Sequence, residues 1–249
     1  DELSDLAHSV NRMAAYIHQM LDAKRDLLLA ISHELRTPLT RARLNAELLA
    51  EDADTAPTRA ALLRDLAQMR DLITDLLESE RLASRHAALQ REATDLPALA
   101  HALIGDMAAL RAAAADVAVH VAPSLTAPLW LDAGRTRLLL RNLLDNALRH
   151  TPPGAAPPEL HLGVADNGHV LIEVRDHGPG VPPEQLARLT EAFYRPDDAR
   201  QRSTGGVGLG LYLARMVAEA HGGRLTVRNA EPGLAVRAEW PAAAVPAES

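Results

Sequence analysis

The stretch LAHSVNRMAAYIHQMLDAKRDLLLAISHELRTPLTRARLNAELLAE, residues 6–51, contains no glycine, and its apolar positions Val10, Met13, Ile17, Met20, Leu27 and Ile31 keep to steps of three and four, broken only at Lys24. That spacing makes a coiled-coil-like seam along one side of a long helix, and such a seam is buried against another helix. Residues 51–57 (EDADTAP) supply a break, and a second seam follows at Leu62, Leu66, Met69, Ile73 and Leu76. The first part of the chain therefore reads as an antiparallel helical hairpin, two copies of which make a four-helix bundle. The alternative, a hairpin packed on the rest of its own chain, is disfavoured because a lone hairpin buries little surface.

The whole chain has 249 residues, 47% of them hydrophobic and 24% charged, the composition of an ordinary globular chain. Aromatics are scarce, with one Phe, three Tyr and two Trp, so the core must come from Leu, Ala, Val and Ile, which suits helices. The absence of Cys excludes disulfides, thiolate metal sites and cysteine nucleophiles. A formal charge of −7, with Lys24 the single lysine and the arginines scattered, argues against a nucleic-acid partner. No run of about 18 apolar residues occurs, and the start lacks the regions of a signal peptide. Because the chain opens at Asp1 in the middle of a helical pattern, a preceding segment is expected.

Beyond residue 93 the texture becomes mixed. A helix is expected near 95–115, short apolar runs follow at Val117 to Val121 and Leu129 to Leu131, and a second helix is expected from about Ala133 to His150. Leu160, Leu162 and Val164, then Val170, Ile172 and Val174, alternate with polar or small residues around the turn Asp166-Asn167-Gly168, which reads as a β-hairpin. A short helix after Val181, a loop holding Arg195 to Gly206, a helix from Gly208 to Ala220 and closing strands near Leu225 to Val227 and Val236 to Trp240 complete the pattern. The fold class is thus a helical hairpin followed by an α+β sandwich with helices on one face of a mostly antiparallel sheet. The division is expected as 1–22, 23–88 and 93–245.

His33 lies about 200° around the helix from Ile31 and so points away from the seam. Glu34 adjoins it, Thr37 shares its face one turn on, and Pro38 removes a mid-helix hydrogen bond at a cost of about 3 kcal/mol. HELRT is not the zinc motif HExxH, since Thr37 stands where the second ligand would be. Asn142 and Asn146 are one turn apart with Arg149 continuing the stripe, a set of amides and a cation suited to phosphate and Mg²⁺ or simply to a solvated face. Asp176-His177-Gly178-Pro179-Gly180 follows a strand directly, which fixes the carboxylate while the glycines let backbone approach a flat ligand. Gly205, Gly206, Gly208 and Gly210 open a helix and offer bare N–H groups to an anion. Their spacing is neither a Rossmann fingerprint nor a P-loop.

Taken together, ISHELRTPLTR at 31–41, NLLDNALRH at 142–150, DHGPG at 176–180, EAFYR at 191–195 and GGVGLGL at 205–211 resemble, in order and spacing, the H, N, G1, F and G2 boxes of sensor histidine kinases. The opening DELSDLAHSVNRM is similar to the end of a HAMP linker. The resemblance implies a dimeric four-helix bundle followed by a Bergerat-type ATP-binding domain, in an ATP-dependent protein histidine kinase of a bacterial two-component system. It further implies that His33 is the phosphoacceptor, that Glu34 takes the proton of its other ring nitrogen, and that Thr37 orients water when a partner is dephosphorylated. Asn146 would hold Mg²⁺, with Asn142, Arg149 and His150 near the nucleotide. Asp176 would accept from the adenine amine beside Gly178 and Gly180. Residues 181–207 would form a lid, with Tyr194, Arg195, Gly206, Val207, Gly208, Leu209 and Gly210 around the phosphates. Arg149, His150 and Val207 stand where the family often has Lys, Tyr and Thr.

By the same resemblance the partners are a second copy of the chain and a response regulator of the OmpR type, and the chain is the cytoplasmic portion of an inner-membrane sensor. Two rivals differ in class: a Bergerat-fold ATPase driving a clamp, and a nucleotide-binding pseudokinase that acts as a signalling and dimerisation module. The exposed His33, with Glu34 and Thr37 on a bundle, speaks against the first. The complete set of boxes speaks against the second.

Overall fold

A computed structural model describes residues 13, 35, 37–47, 55–83, 89–125, 128–196 and 208–243. The chain divides into two compact units, Asp1–Glu80 and Arg81–Ser249. Of the expected first seam, Val10, Ile17, Met20, Leu27 and Ile31 lie outside the described residues, as do 51–54 of the expected break and 84–88 at the end of the expected 23–88 segment. No described helix is long and apolar enough to cross a membrane.

In the first unit, helix α1 is described over 37–47 and helix α2 spans Ala56–Ala83. Arg59 joins them: its Nε donates to the Ala46 carbonyl at 2.9 Å and its Nη2 to that of Glu47, also at 2.9 Å. One guanidinium from α2 thus binds two successive carbonyls of α1 and ties the two helices together. Ala46, Leu66 and Leu77 are buried. Leu44, Leu62 and Met69 are not, at 52%, 42% and 49% exposure within one protomer. Leu62, Met69 and the half-buried Leu76 are spaced by seven and so share one line on α2, beside the line that carries Leu66.

The second unit has the order β1 (Glu92–Thr94), α3 (Leu96–Leu110), a 3-10 turn (Ala112–Asp116), β2 (Ala118–Val121), β3 (Leu129–Leu131), α4 (Ala133–His150), β4 (Glu159–Val164), β5 (His169–Arg175), a 3-10 helix (Pro183–Thr190), α5 (Gly210–Ala220), β6 (Arg224–Asn229) and β7 (Leu234–Pro241). Five strands form one sheet in the order β2-β4-β5-β7-β6, parallel only between β2 and β4. β1 and β3 make a separate antiparallel pair that the sequence reading did not anticipate.

Alternation decides the sheet's faces. Leu160 and Leu162 on β4, Val170, Ile172 and Val174 on β5, and Val236, Ala238 and Trp240 on β7 are buried against Leu139, Leu140, Leu143, Leu144, Ala147 and Leu148 of α4 and Leu213, Ala214 and Val217 of α5. The opposite face is polar, with Glu173 paired to Arg228 at 3.1 Å and Arg237 at 2.8 Å, and Arg224 paired to Glu239. Caps set the helix starts: Asp95 accepts from the Ala98 amide and Asp132 from that of Arg135, each at 2.9 Å.

Two expected helix bounds are corrected. α3 stops at Leu110 rather than near 115 because Arg111 is extended and sends its guanidinium to the Leu148 carbonyl, at 2.7 Å. α5 starts at Gly210 rather than Gly208 because Gly208 has a φ of 81°, outside the helical region.

Candidate functional site

The end of β5 delivers Asp176 into the interior, at 3% exposure. Its Oδ1 accepts from the Gly178 amide at 2.8 Å and from the Leu234 amide at 3.1 Å. Among the described residues Oδ2 accepts no hydrogen bond, so one oxygen fixes the carboxylate and the other is left for a donor. Burial pushes this carboxyl above its ordinary pKa, outweighing the pull of the two amides and of His150 and His177. A recessed, rigid acceptor of this kind suits an exocyclic amine.

Glycine is required beside it for a steric reason. A Cβ on Gly178 would sit 2.6 Å from the His150 carbonyl oxygen, so the DHGPG loop lies directly on the C-terminal end of α4. Gly180 has a φ of 70°, and a Cβ there would come within 2.8 Å of Asn229 Oδ1. Through these contacts the structure brings Asp176, Gly178 and His150 together.

Along α4, Asn142, Asn146 and Arg149 are half-buried on one flank, since the leucines at 139, 140, 143, 144 and 148 turn to the core. Asn142 Nδ2 donates to the Leu138 carbonyl at 3.0 Å, while its Oδ1 lies 3.1 Å from the position of a Cβ on Gly210. Asn146 has no hydrogen-bond partner among the described residues. A half-buried amide oxygen with no donor among the described residues matches what Mg²⁺ asks of a protein, one hard oxygen with the rest supplied by water and phosphate. The first turn of α5 has no side-chain cap at Leu209, so its N–H groups are open to an acceptor.

The residues flanking 197–207 form a neck. The Phe193 amide donates to the Gly208 carbonyl at 3.0 Å, and a Cβ on Gly208 would stand 2.6 Å from the Tyr194 carbonyl oxygen. Phe193 is 55% exposed with a φ of 64°, and the Arg188 guanidinium lies over the Tyr194 ring at 4.1 Å. The first half of the expected lid is therefore packed structure: Val181 is tied to Asn229, and Thr190 is buried beside Arg215, whose Nη1 is 3.5 Å from its hydroxyl. Gly206 and Val207 lie outside the described residues, as do His33 and Glu34. Thr37 is exposed on α1 and Pro38 is helical. Tyr194 and Arg195 are both half-buried in the neck.

Two positioning residues escaped the sequence reading. Asn229, at the end of β6, donates from Nδ2 to the Val181 carbonyl at 2.8 Å and accepts at Oδ1 from the Val181 amide at 3.1 Å, so its amide imitates a ladder partner for the loop. Gly233, with a φ of 91°, lies against Asp176, where a Cβ would meet its carbonyl oxygen at 2.0 Å. Nothing local in Glu231-Pro232-Gly233 shows that this turn closes on residue 176.

The family model described as the histidine kinase-, DNA gyrase B- and HSP90-like ATPase matches residues 131–244. That of the His Kinase A (phospho-acceptor) domain matches residues 23–85. Sensor protein CseC of Streptomyces avermitilis is 39% identical over 235 residues, covering 93% of this chain and 43% of its own length. Sensor protein RstB of Escherichia coli is 35% identical over 238 residues, covering 95% of this chain and 53% of its own. The chain thus spans about half the length of the curated relatives it matches. Among solved structures, full-length ShkA in complex with AMPPNP superposes with a TM-score of 0.70 at 30% identity, covering 89% of this chain and 47% of that one. With a phosphoacceptor domain and an ATPase domain in tandem, and relatives matched across both, the chain belongs to the sensor histidine kinases, an ATP-dependent protein kinase family.

Proposed function

We propose that this chain is the kinase portion of a two-component sensor, with 1–22 the end of a HAMP linker, 23–88 the dimerisation and phosphotransfer domain and 93–245 the catalytic domain. The second unit binds ATP, with the adenine amine on Asp176 Oδ2, the ring beside Gly178 and Gly180, and the phosphates between the α4 flank and the start of α5. Asn146 would hold Mg²⁺, whose charge offsets that on the phosphates. Asn142, Arg149, His150, Tyr194, Arg195, Gly206, Val207, Gly208, Leu209 and Gly210 complete the nucleotide's surroundings. An imidazole nitrogen of His33 attacks the γ-phosphorus, the bond to the β-phosphate oxygen breaks, and ADP leaves. Glu34 takes the proton of the other ring nitrogen, so the phosphohistidine forms neutral at that position. The phosphoryl group then passes to an aspartate of a response regulator of the OmpR type, and Thr37 orients the water that later removes it.

The observation that carries this reading is the pinned carboxylate of Asp176, with one oxygen held by two amides and the other left for a donor. The exposed line of Leu62 and Met69 supports pairing with a second copy of the chain, since it sits on a helix already matched as part of a phosphoacceptor domain. Kinship with CseC and RstB, both named sensor proteins, supports a membrane-anchored parent whose cytoplasmic portion this is.

The test is incubation of the purified chain with Mg²⁺ and γ-labelled ATP. Label that is acid-labile, alkali-stable and absent from His33→Ala is expected. Nucleotide binding with no label, or label that persists in His33→Ala, would remove His33 from the mechanism.

A further inference from the structure

The edge of the five-stranded sheet carries a cluster that the nucleotide chemistry does not use. Glu159 and His161 alternate with the buried Leu160 and Leu162 on β4, and so project from the polar face. His120, on the parallel edge strand β2, is the direct register partner of His161. The ligand atoms of these three side chains lie within 4.8 Å of one another. The two imidazoles stack with centroids 4.6 Å apart and planes 18° apart, and His161 Nε2 is 3.0 Å from Glu159 Oε2. His120 is exposed and the other two are half-buried, beside an open cavity of about 240 Å³ that both histidines line.

We propose that His120, Glu159 and His161 form a binding site for a borderline transition-metal dication of the Zn²⁺ class, distinct from the Mg²⁺–nucleotide site. Two imidazoles and one carboxylate are a donor set that Zn²⁺ takes readily and that Mg²⁺, which demands oxygen, does not. Bonds of about 2.0–2.2 Å place tetrahedral ligand atoms about 3.3 Å apart. The Glu159–His161 pair already meets that spacing, and the wider gap to His120 closes by side-chain rotation at an exposed position. His177 Nε2, 3.4 Å from Glu159 Oε1, orients the carboxylate from behind. The ion would fasten β2, which pairs with β4 alone in this sheet, to the strand beside it.

The experiment uses the full chain freed of divalent ions, titrated with Zn²⁺ against a chromogenic chelator and with Co²⁺ by visible absorption. Expected are saturation at a single equivalent per protomer, Co²⁺ bands of four-coordinate intensity, and a melting temperature that rises with Zn²⁺. His120→Ala and His161→Ala are each expected to weaken Zn²⁺ binding by about tenfold or more and to cancel the rise in melting temperature. His101→Ala, on α3, should leave both unchanged. Because His120 is exposed, its variant carries the test even if His161→Ala lowers the metal-free stability. The proposal is overturned if wild type binds no more tightly than His120→Ala, or if His101→Ala loses as much affinity. Either result would leave the cluster as a hydrogen-bonded pair beside a stacked ring.

Discussion

Replacing Asp176 by Asn separates nucleotide recognition from stability, because the structure gives the two effects opposite signs. Asparagine keeps an oxygen at Oδ1, so the amides of Gly178 and Leu234, at 2.8 and 3.1 Å, retain their acceptor. What changes is the second atom, where an acceptor becomes an NH₂ donor facing the place proposed for the adenine amine. A hydrogen bond to a charged group contributes about 1.5–3 kcal/mol, and a donor set against a donor forfeits it. At 1.4 kcal/mol per factor of ten, the Kd for ATP should rise by about 10- to 100-fold.

Stability should move the other way. Burial raises the Asp176 pKa above its unfolded value, so the folded state binds the proton more tightly, and stability is lost as pH rises from the ordinary carboxylate pKa through the raised one. At neutral pH the ionised side chain is therefore a cost that the neutral amide removes. Calorimetric titration with AMPPNP and Mg²⁺, beside thermal unfolding without nucleotide, reads both quantities. Unchanged affinity in Asp176→Asn would refute the assignment of Oδ2 to the base. A melting temperature that falls together with affinity would refute the claim that Asn preserves the two amide bonds.

Three further outcomes are expected. Gly178→Ala, whose Cβ would meet the His150 carbonyl oxygen at 2.6 Å, should cost about 1–3 kcal/mol in denaturant unfolding, whereas Gly105→Ala, in α3 with nothing within 4 Å, should stabilise by about 0.5–1 kcal/mol; equal effects would contradict the steric account. His221 is buried against Trp240, with Nδ1–H donating to the Val217 carbonyl at 2.8 Å and Nε2 accepting from the Asp132 amide at 3.4 Å. Burial lowers its pKa, against Val217 and Asp132 and with Arg91 and Arg135. The stability it contributes is thus full above about pH 6.5 and lost as pH falls toward the lowered value, so His221→Gln should flatten the melting temperature between pH 7.5 and 5, and an unaltered slope would count against it. Leu62→Glu should convert a dimer into a monomer in sedimentation, since it removes about 1.5–3 kcal/mol of burial from each protomer's side; an intact dimer would take that line out of the interface.

Much of this fold was legible because its signals are local. The Ala133 to His150 helix has its cap at Asp132 and a leucine stripe of regular period, and the hairpin of β4 and β5 has strict alternation on both sides of a turn. Segments failed where a distant group intervened. Nothing in residues 105–115 announces that Arg111 will leave the helix to bond the Leu148 carbonyl, thirty-seven residues on. The β1–β3 pair escaped for the same reason, since three-residue strands carry no period of their own. In the first unit the reverse holds: the line of Leu62 and Met69 read as a buried seam, yet it is exposed in a single protomer, which is what the proposed pairing with a second copy calls for.

The candidate site shows how far motif reading reaches. The carboxylate, the glycines and the asparagines stand in recognisable boxes because, in the proposed site, each adjoins the nucleotide, and a fixed ligand fixes their spacing. The residues that hold the boxes in place obey no such rule. Asn229 ends β6, 48 positions after the Val181 it pairs with, and Gly233 lies on the turn that follows; their one requirement is to fit the loop. Asn229 supplies Val181 with both halves of a backbone pair, and the absence of a side chain on Gly233 lets that turn rest on Asp176. Asp176 is thus clamped between the turn on one side and the end of α4 on the other, with Gly178 in contact with His150. Because both clamps act through backbone, a substitution at either should shift the carboxylate before it unfolds the sheet. Asn229→Ala leaves a part-buried amide and carbonyl of Val181 unpaired, at a cost of about 1–3 kcal/mol, and that cost falls on the loop beside the proposed adenine site. Nucleotide affinity should therefore drop in Asn229→Ala even though the proposed site gives Asn229 no contact with ATP, and an affinity equal to wild type would show that the α4 contact alone suffices.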